Sequence, residues 1–404
     1  MRIPEFLHNS MGYVLTFVLA LAFVPLASPI AQSQTFSVVH SFSGGTDGAN
    51  PLAGLVMDAS GNVYGTTNSG GNFGAGTVYE FSSAGVETVL YNFTGGSDGG
   101  EPQGSLLLIG TGLYGTTASG GASGAGTVFE LTLAGKQTVL YSFKGNGDGS
   151  VPVASLVRDS GGNLYSTTSY GGAFGDGTVF KLIHPKAPST VWTEQVLYSF
   201  GAGEDGINPV GGVNFDVDGN LYGTTSTGGE YGNGNVFQLA PSGTAWTENI
   251  LHQFELLSDG GIPYAGIVLD HAGNLYGATT DGGGGGSIGG GTIFEMSQSD
   301  GAWTFTVIYS LPGWGISGSF RNLLVGSNKI YATTHCDGAN NAGTIYELTH
   351  TSKGWAYTSL YVFTGGTDGL FSFSNLVLDR SGDLYGTTNL GGQFGDGVLF
   401  KIHI

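Results

Sequence analysis

Along the chain the apolar positions fall in short runs rich in Val, Leu, Ile, Tyr, Phe and Thr, and the segments between them are built from Gly, Asp, Asn and Pro. No stretch holds the three-to-four-residue spacing of an amphipathic helix over a useful length, so the pattern predicts strands joined by tight turns. An early set of runs is Leu55 to Asp58, Asn62 to Thr67, Thr77 to Phe81 and Val89 to Phe93. The same four runs return down the chain, and a tyrosine in the second run marks each copy: Tyr64, Tyr114, Tyr165, Tyr222, Tyr276, Tyr331 and Tyr385. Separations of 50, 51, 57, 54, 55 and 54 residues are too regular for chance and too long for a one-helix or one-strand solenoid. Seven four-stranded antiparallel units predict an all-β chain folded as a seven-bladed β-propeller.

The seventh copy supplies three runs and ends at Val398 to Ile404, without a fourth. Val38-Val39-His40-Ser41-Phe42 matches Val89-Leu90-Tyr91-Asn92-Phe93, the fourth run of the first copy. The N-terminal strand is therefore expected to complete the last blade from outside and close the ring, with runs of the Leu55 to Asp58 type lining the channel. Antiparallel order then places the Asp-Gly turns (Asp47, Asp98, Asp148, Asp205, Asp259, Asp368) on one face with the Gly-Gly loops (Gly70, Gly120, Gly171, Gly228, Gly282, Gly391). The other face takes the Asp58 to Asn62 type of hairpin and the longer hairpins bearing Trp192, Trp246, Trp303 and Trp355.

Residues 1–33 stand outside the repeat. Arg2, an apolar stretch from Gly12 to Val24, then Pro25, Ala27, Ser28 and Ala31 read as a secretory signal peptide cut near Ala31 or Ser33, with an uncleaved anchor as the rival reading. The apolar stretch is shorter than the ~20 residues of a membrane span. Two domains are expected: 1–33 as signal peptide and 34–404 as propeller, with the product secreted, periplasmic or at the cell surface. With Cys336 the single cysteine, the propeller must be held by its core and not by a disulfide. A formal charge of −19 with 11 Lys and Arg argues against nucleic acid and anionic membranes as partners. The 76 glycines recur at fixed places, which makes them turn residues and not a low-complexity tract.

Leu221 to Thr225 (Leu-Tyr-Gly-Thr-Thr), Gly171-Gly172 and Gly177 to Phe180 (Gly-Thr-Val-Phe) carry a family resemblance: residues 36–404 resemble the Gloeo/Verruco repeat proteins of bacteria. The resemblance implies an exported protein, held in some relatives by a C-terminal sorting signal, and implies no established activity. No sorting tail follows the last repeat run here, which speaks against surface anchoring. A weaker similarity is to kelch propellers, which also place a Gly-Gly doublet after the second strand and an aromatic after the third.

Candidate chemistry is sparse. The six Asp-Gly turns could offer carboxylates to Ca²⁺, yet Asp and Gly are also what a tight turn selects. Asp216 to Asn220 looks like a fragment of a calcium loop but aligns with the Asp58 to Asn62 hairpin and lacks the distal Glu. The Gly-rich loops lack the strand-to-helix junction and Lys of a phosphate cradle. His40 and His252 fall where other copies have Tyr, and read as packing residues. No cofactor, metal site or catalytic residue is expected.

The sixth copy breaks the pattern. Just before the inner strand the copies read Ala53, Gly104, Ala154, Gly211, Ala265, Arg321 and Ser374, so one guanidinium enters a ring of small residues. The same copy has Trp314 in a turn without Asp, and His335-Cys336-Asp337-Gly338-Ala339-Asn340-Asn341 in place of the Gly-Gly loop. Repeat decay would also produce such a copy. The replacements are nonetheless chemically rich and share one face, so Trp314, Arg321, His335, Asp337 and Asn340 are the candidate ligand-binding residues. Arg321 offers a planar fork to a carboxylate or sulfate, or pairs with a carboxylate such as Asp337, and Trp314 offers a platform for a sugar ring. The leading functional reading is an exported, monomeric, non-enzymatic binding or interaction module whose ligand is a carbohydrate or a protein. A propeller hydrolase or lyase acting on a carbohydrate or lactone, and a structural envelope component, are the alternatives.

Overall fold

The computed structural model describes residues 34–404 apart from 202, 285–288 and 314–317. These residues form seven four-stranded antiparallel sheets. Blade 1 is Val56–Met57, Val63–Thr67, Thr77–Phe81 and Glu87–Asn92, and the next five blades follow the same order. Blade 7 is Val377–Leu378, Asp383–Thr388 and Val398–His403, completed by Thr35–Ser41. That N-terminal strand pairs with Val398–His403 in the register Thr35 to His403 through Ser41 to Val398. The expected closure is therefore the one found, and the chain is a seven-bladed β-propeller. The expected signal segment, including the cleavage region at Ala31 and Ser33, lies outside the described residues, as does Trp314.

The regular alternation of the strands buries one residue set between adjacent blades. Leu55, Leu113, Phe129 and their counterparts are fully or nearly fully buried, and each cluster joins residues of two neighbouring blades. The repeat tyrosine fixes the hairpin beneath it. Tyr64 donates its hydroxyl to Asp58 at 3.1 Å, Tyr165 to Asp159 at 2.9 Å and Tyr222 to Asp216 at 3.0 Å. Asp216 also accepts from the amides of Asp218 and Asn220 and from the Asn220 side chain, so its oxygens are engaged by the hairpin.

The Asp-Gly turns are tied to the outer strands in the same manner. Tyr91, Tyr141, Tyr198 and Tyr361 donate to Asp98, Asp148, Asp205 and Asp368 at 2.8–3.0 Å, while His40 and His252 contact Asp47 and Asp259 at 3.2 and 2.7 Å. Burial would raise the Asp98 carboxyl, but donors from Thr94 and Tyr91 outweigh it and hold the group below the ordinary carboxylate value. Each turn then packs backbone to backbone on a Gly-Gly loop: at Gly70, whose φ is +72°, a Cβ would sit 2.7 Å from the Gly48 backbone. In the sixth copy Asp337 stands at that place.

One outer-strand position decides how each blade meets the one before it. Phe36, Phe305 and Tyr357 stack on Tyr361, His252 and Tyr309, with ring centroids 3.8, 3.6 and 5.0 Å apart. At the same position Gln137 donates to the Asp98 carbonyl at 3.2 Å. Glu87, Glu194 and Glu248 fill the remaining three seams, each with a buried Oε1 that has no protein partner. Burial, reinforced by Asp47, Asp148 and Asp205 respectively, pushes these three carboxyls up to about 7.

Candidate functional site

The segment leading into each inner strand forms the rim of the channel on the face of the Gly-Gly loops. In six copies it begins with a residue other than Gly in the left-handed region: Asn50, Glu101, Val151, Asn208, Ile262 and Phe371, with φ between 54° and 60°. This conformation disfavours L-residues by roughly 1–2 kcal/mol each. It is offset by a hydrogen bond across the seam, since each of these amides donates to a carbonyl of the preceding blade at 2.8–3.1 Å (Asn50 to Asp396, Asn208 to Asp176). Recurrence around the ring marks it as architecture and not as a device of one site.

Two residues further on, the seven copies present Leu52, Gln103, Val153, Val210, Tyr264, Phe320 and Phe373, and all seven line one cavity of about 460 Å³ at the channel mouth. Blades 5 to 7 supply the aromatic wall. Tyr264 stacks on Phe320 at 5.2 Å, and Phe320 meets Phe373 edge-on at 5.0 Å. His335 wedges behind this wall, 4.4 Å from both Phe371 and Phe373, and burial lowers its pKa to about 4, so it is neutral over the ordinary pH range. Its Nδ1 is buried without a protein partner.

Arg321 lies one residue below the aromatic row, where the ring of small residues makes room for it. Its Nη2 reaches across the channel to the Gln103 carbonyl at 3.3 Å, and its Nε is buried with no protein partner. Among the described residues no carboxylate pairs with it and none lines the cavity. Burial lowers its pKa to about 10, which leaves it charged at neutral pH. Below Arg321 the channel is filled by side chains that satisfy one another: Ser105 Oγ donates to Asn375 at 2.8 Å and accepts from the Gly54 amide, and Asn322 accepts from the Gly266 amide. A cavity of about 30 Å³ lies beside Ser155 and Asn322. The mouth is thus a closed cup with an uncompensated cation at its floor.

Of the five residues the sequence nominates, Arg321 lines this cup and His335 packs behind its aromatic wall. Asp337 is turned away from Arg321: it is buried, accepts from the Thr334 hydroxyl, and faces a separate cavity with Cys336 and Tyr357. Burial raises its carboxyl. Asn340 is exposed on the outer loop and donates to the Phe363 carbonyl at 3.1 Å. The sequence reading passed over Tyr264, Phe320 and Phe373, although the signal is there one residue before the small-residue ring.

A larger cleft, about 560 Å³, opens between blades 5 and 6 on the opposite face, with Asp270, Tyr276, Glu295, His350 and Trp355 in its lining. Its carboxylates are already engaged, because the Tyr276 hydroxyl contacts Glu295 at 2.8 Å and Asp270 at 3.5 Å. Unmet polar groups, which call for a ligand, distinguish the mouth from this cleft.

Solved structures share the architecture. An extracellular domain described as part of a one-component system of B. thetaiotaomicron superposes with a TM-score of 0.57 at 11% identity, covering 91% of this chain and 40% of that chain. An ancestral GH74 enzyme superposes with a TM-score of 0.55 at 12% identity, covering 88% of this chain and 48% of that chain. The chain therefore spans less than half the length of either, and at this identity the likeness shows the fold alone. No curated protein matches the sequence. The Gloeobacter/Verrucomicrobia repeat matches residues 28–214, 186–320 and 215–404, and with this coverage the chain belongs to the Gloeobacter/Verrucomicrobia repeat family.

Proposed function

We propose that the chain is an exported binding module that captures an anionic ligand in the cup at the channel mouth. The observation that carries this reading is the floor of the cup. A half-buried guanidinium left without a carboxylate is unfavourable in the empty protein, and it becomes favourable when an anion completes it. The chain has 30 Asp and Glu and could have supplied a partner from almost any blade, but none of those described reaches Arg321. The absence of carboxylates from the lining sets the cup apart from the paired acids of glycoside hydrolysis. Export is supported by the signal-like segment at residues 1–33. Among the described residues no helix is long and apolar enough to cross a membrane.

Melting temperature measured against a panel of small carboxylates and their neutral analogues tests the reading. A ligand that binds only the folded state raises it by mass action. Carboxylates are expected to raise the melting temperature of the wild type, less so at high salt, and to leave Arg321→Gln unmoved. An equal response from Arg321→Gln overturns the assignment of the floor.

A further inference from the structure

Three polar atoms in the cup lack protein partners, and they differ in kind. Arg321 Nε is a donor that calls for an acceptor, while Asn208 Oδ1 is an acceptor that calls for a donor, and Ser169 Oγ serves as either. Tyr264, Phe320 and Phe373 line the same cavity and offer apolar ring faces. A simple carboxylate satisfies Arg321 alone. An aromatic acid satisfies Arg321 and packs on the wall but leaves Asn208 unmet. A ring carrying one carboxylate, several hydroxyls and an apolar C–H face satisfies all of them. We infer that the cup binds an acidic sugar residue of the uronate type, a conclusion that rests on the mouth being the ligand site.

The surroundings extend this to a chain of sugars. Tyr170 follows Ser169 at the edge of the cup and is 53% exposed, and Phe174 stands farther along the same loop, 70% exposed. Phe73, Tyr231 and Phe394 hold the place of Phe174 in their own Gly-Gly loops and are all exposed as well. Exposed aromatics recurring at one loop position, on the face where the cup opens, are platforms on which successive sugar rings stack. The occupant is an acidic oligosaccharide, one uronate in the cup and its neighbours along Tyr170 and Phe174.

Calorimetric titration of the full chain with galacturonate, trigalacturonate, galactose and benzoate, on wild type, Asn208→Gly, Phe174→Ala and Arg321→Gln, tests this. Glycine at 208 removes the side chain and accepts the φ of 60° there, so the rim is retained, and unchanged melting temperatures verify this for each variant. Expected are tighter binding of the trimer than of the monomer, no binding of galactose, and a loss of about five- to tenfold for galacturonate in Asn208→Gly. Benzoate binding as tightly as galacturonate and indifferent to Asn208→Gly overturns the sugar and leaves the anion site intact. A trimer no tighter than the monomer, or one indifferent to Phe174→Ala, overturns the extension along the loop. Acid binding that survives Arg321→Gln, or no acid binding at all, overturns both this inference and the proposed function.

Discussion

The seams of the ring fall into two groups, and the difference separates what the repeat requires from what it tolerates. From the junction of blades 7 and 1 round to that of blades 3 and 4, the seam position is Glu87, Gln137, Glu194 and Glu248, and the matching rim residues are Leu52, Gln103, Val153 and Val210. From blade 4 on to blade 7 it is Phe305, Tyr357 and Phe36, and the rim is Tyr264, Phe320 and Phe373. Backbone, core and turn chemistry are shared by both sides. The aromatic side therefore carries extra apolar packing at its seams and the wall of the cup, while the carboxylate side carries acids held in an unfavourable state. Closure needs the common framework, and the cup is built where the copies diverge from it.

The largest effect is expected from the strand that serves both sides. Thr35–Ser41 supplies Phe36 to the aromatic seam with Tyr361 and, in His40, the partner of the Asp47 that acts on Glu87. Removing residues up to Phe42 leaves the edge of Val398–His403 open as a template for other chains. Such a protein should lose cooperative unfolding and associate in light scattering. If it melts like the full propeller and stays monomeric, the ring is not held by this strand.

Phe305→Ala tests the aromatic side directly. It removes a ring stacked at 3.6 Å on His252 and should reduce stability by about 2–4 kcal/mol in chemical denaturation, toward the low end because Phe305 is only partly buried. A loss below about 1 kcal/mol would make the two kinds of seam equivalent.

On the carboxylate side the same question is one of pH. The carboxyls of Glu87, Glu194 and Glu248 have folded pKa values raised to about 7, so the folded state binds their protons more tightly than the unfolded chain does. Their contribution to stability is then greatest at low pH and declines between about pH 4.5 and 7, the window between the two values. With access to solvent the decline should be about 1–2 kcal/mol per seam, less than the full shift implies. Facing groups are Asp47 and His40 at the first, Asp148 and Lys144 at the second, and Asp205 and Tyr198 at the third. Replacing all three with Gln should raise the melting temperature at pH 8 and leave it nearly unchanged at pH 4.5. An equal gain at both pH values would show that ionisation is not the cause.

The propeller was legible because its evidence is periodic: seven tyrosines set the blades, and Val38 to Phe42 repeats a strand missing from the other end. Arg321 was legible for the same reason, as one large residue in a row of small ones. The aromatic row stayed hidden because Tyr264, Phe320 and Phe373 are three of seven mixed residues, and only the backbone shows that this row and not its neighbours faces the mouth. Asp337 and Asn340 lie within a few residues of His335 in the chain, yet the loop turns them to a different cavity and to the outer surface. The seam glutamates read as ordinary polar positions of an outer strand, and their burial comes from the neighbouring blade, which no single copy encodes.

The role proposed for Arg321 is to serve a ligand and not the fold. It is tested most directly by the melting temperature of Arg321→Met in ligand-free buffer, since Met keeps much of the volume and removes the charge. A half-buried cation without a counter-charge opposes folding, so the variant should melt at the same temperature as the wild type or a few degrees higher, while losing all response to carboxylates. A fall of several degrees would rule out that role, because it would make the guanidinium a structural tie to the Gln103 carbonyl across the channel.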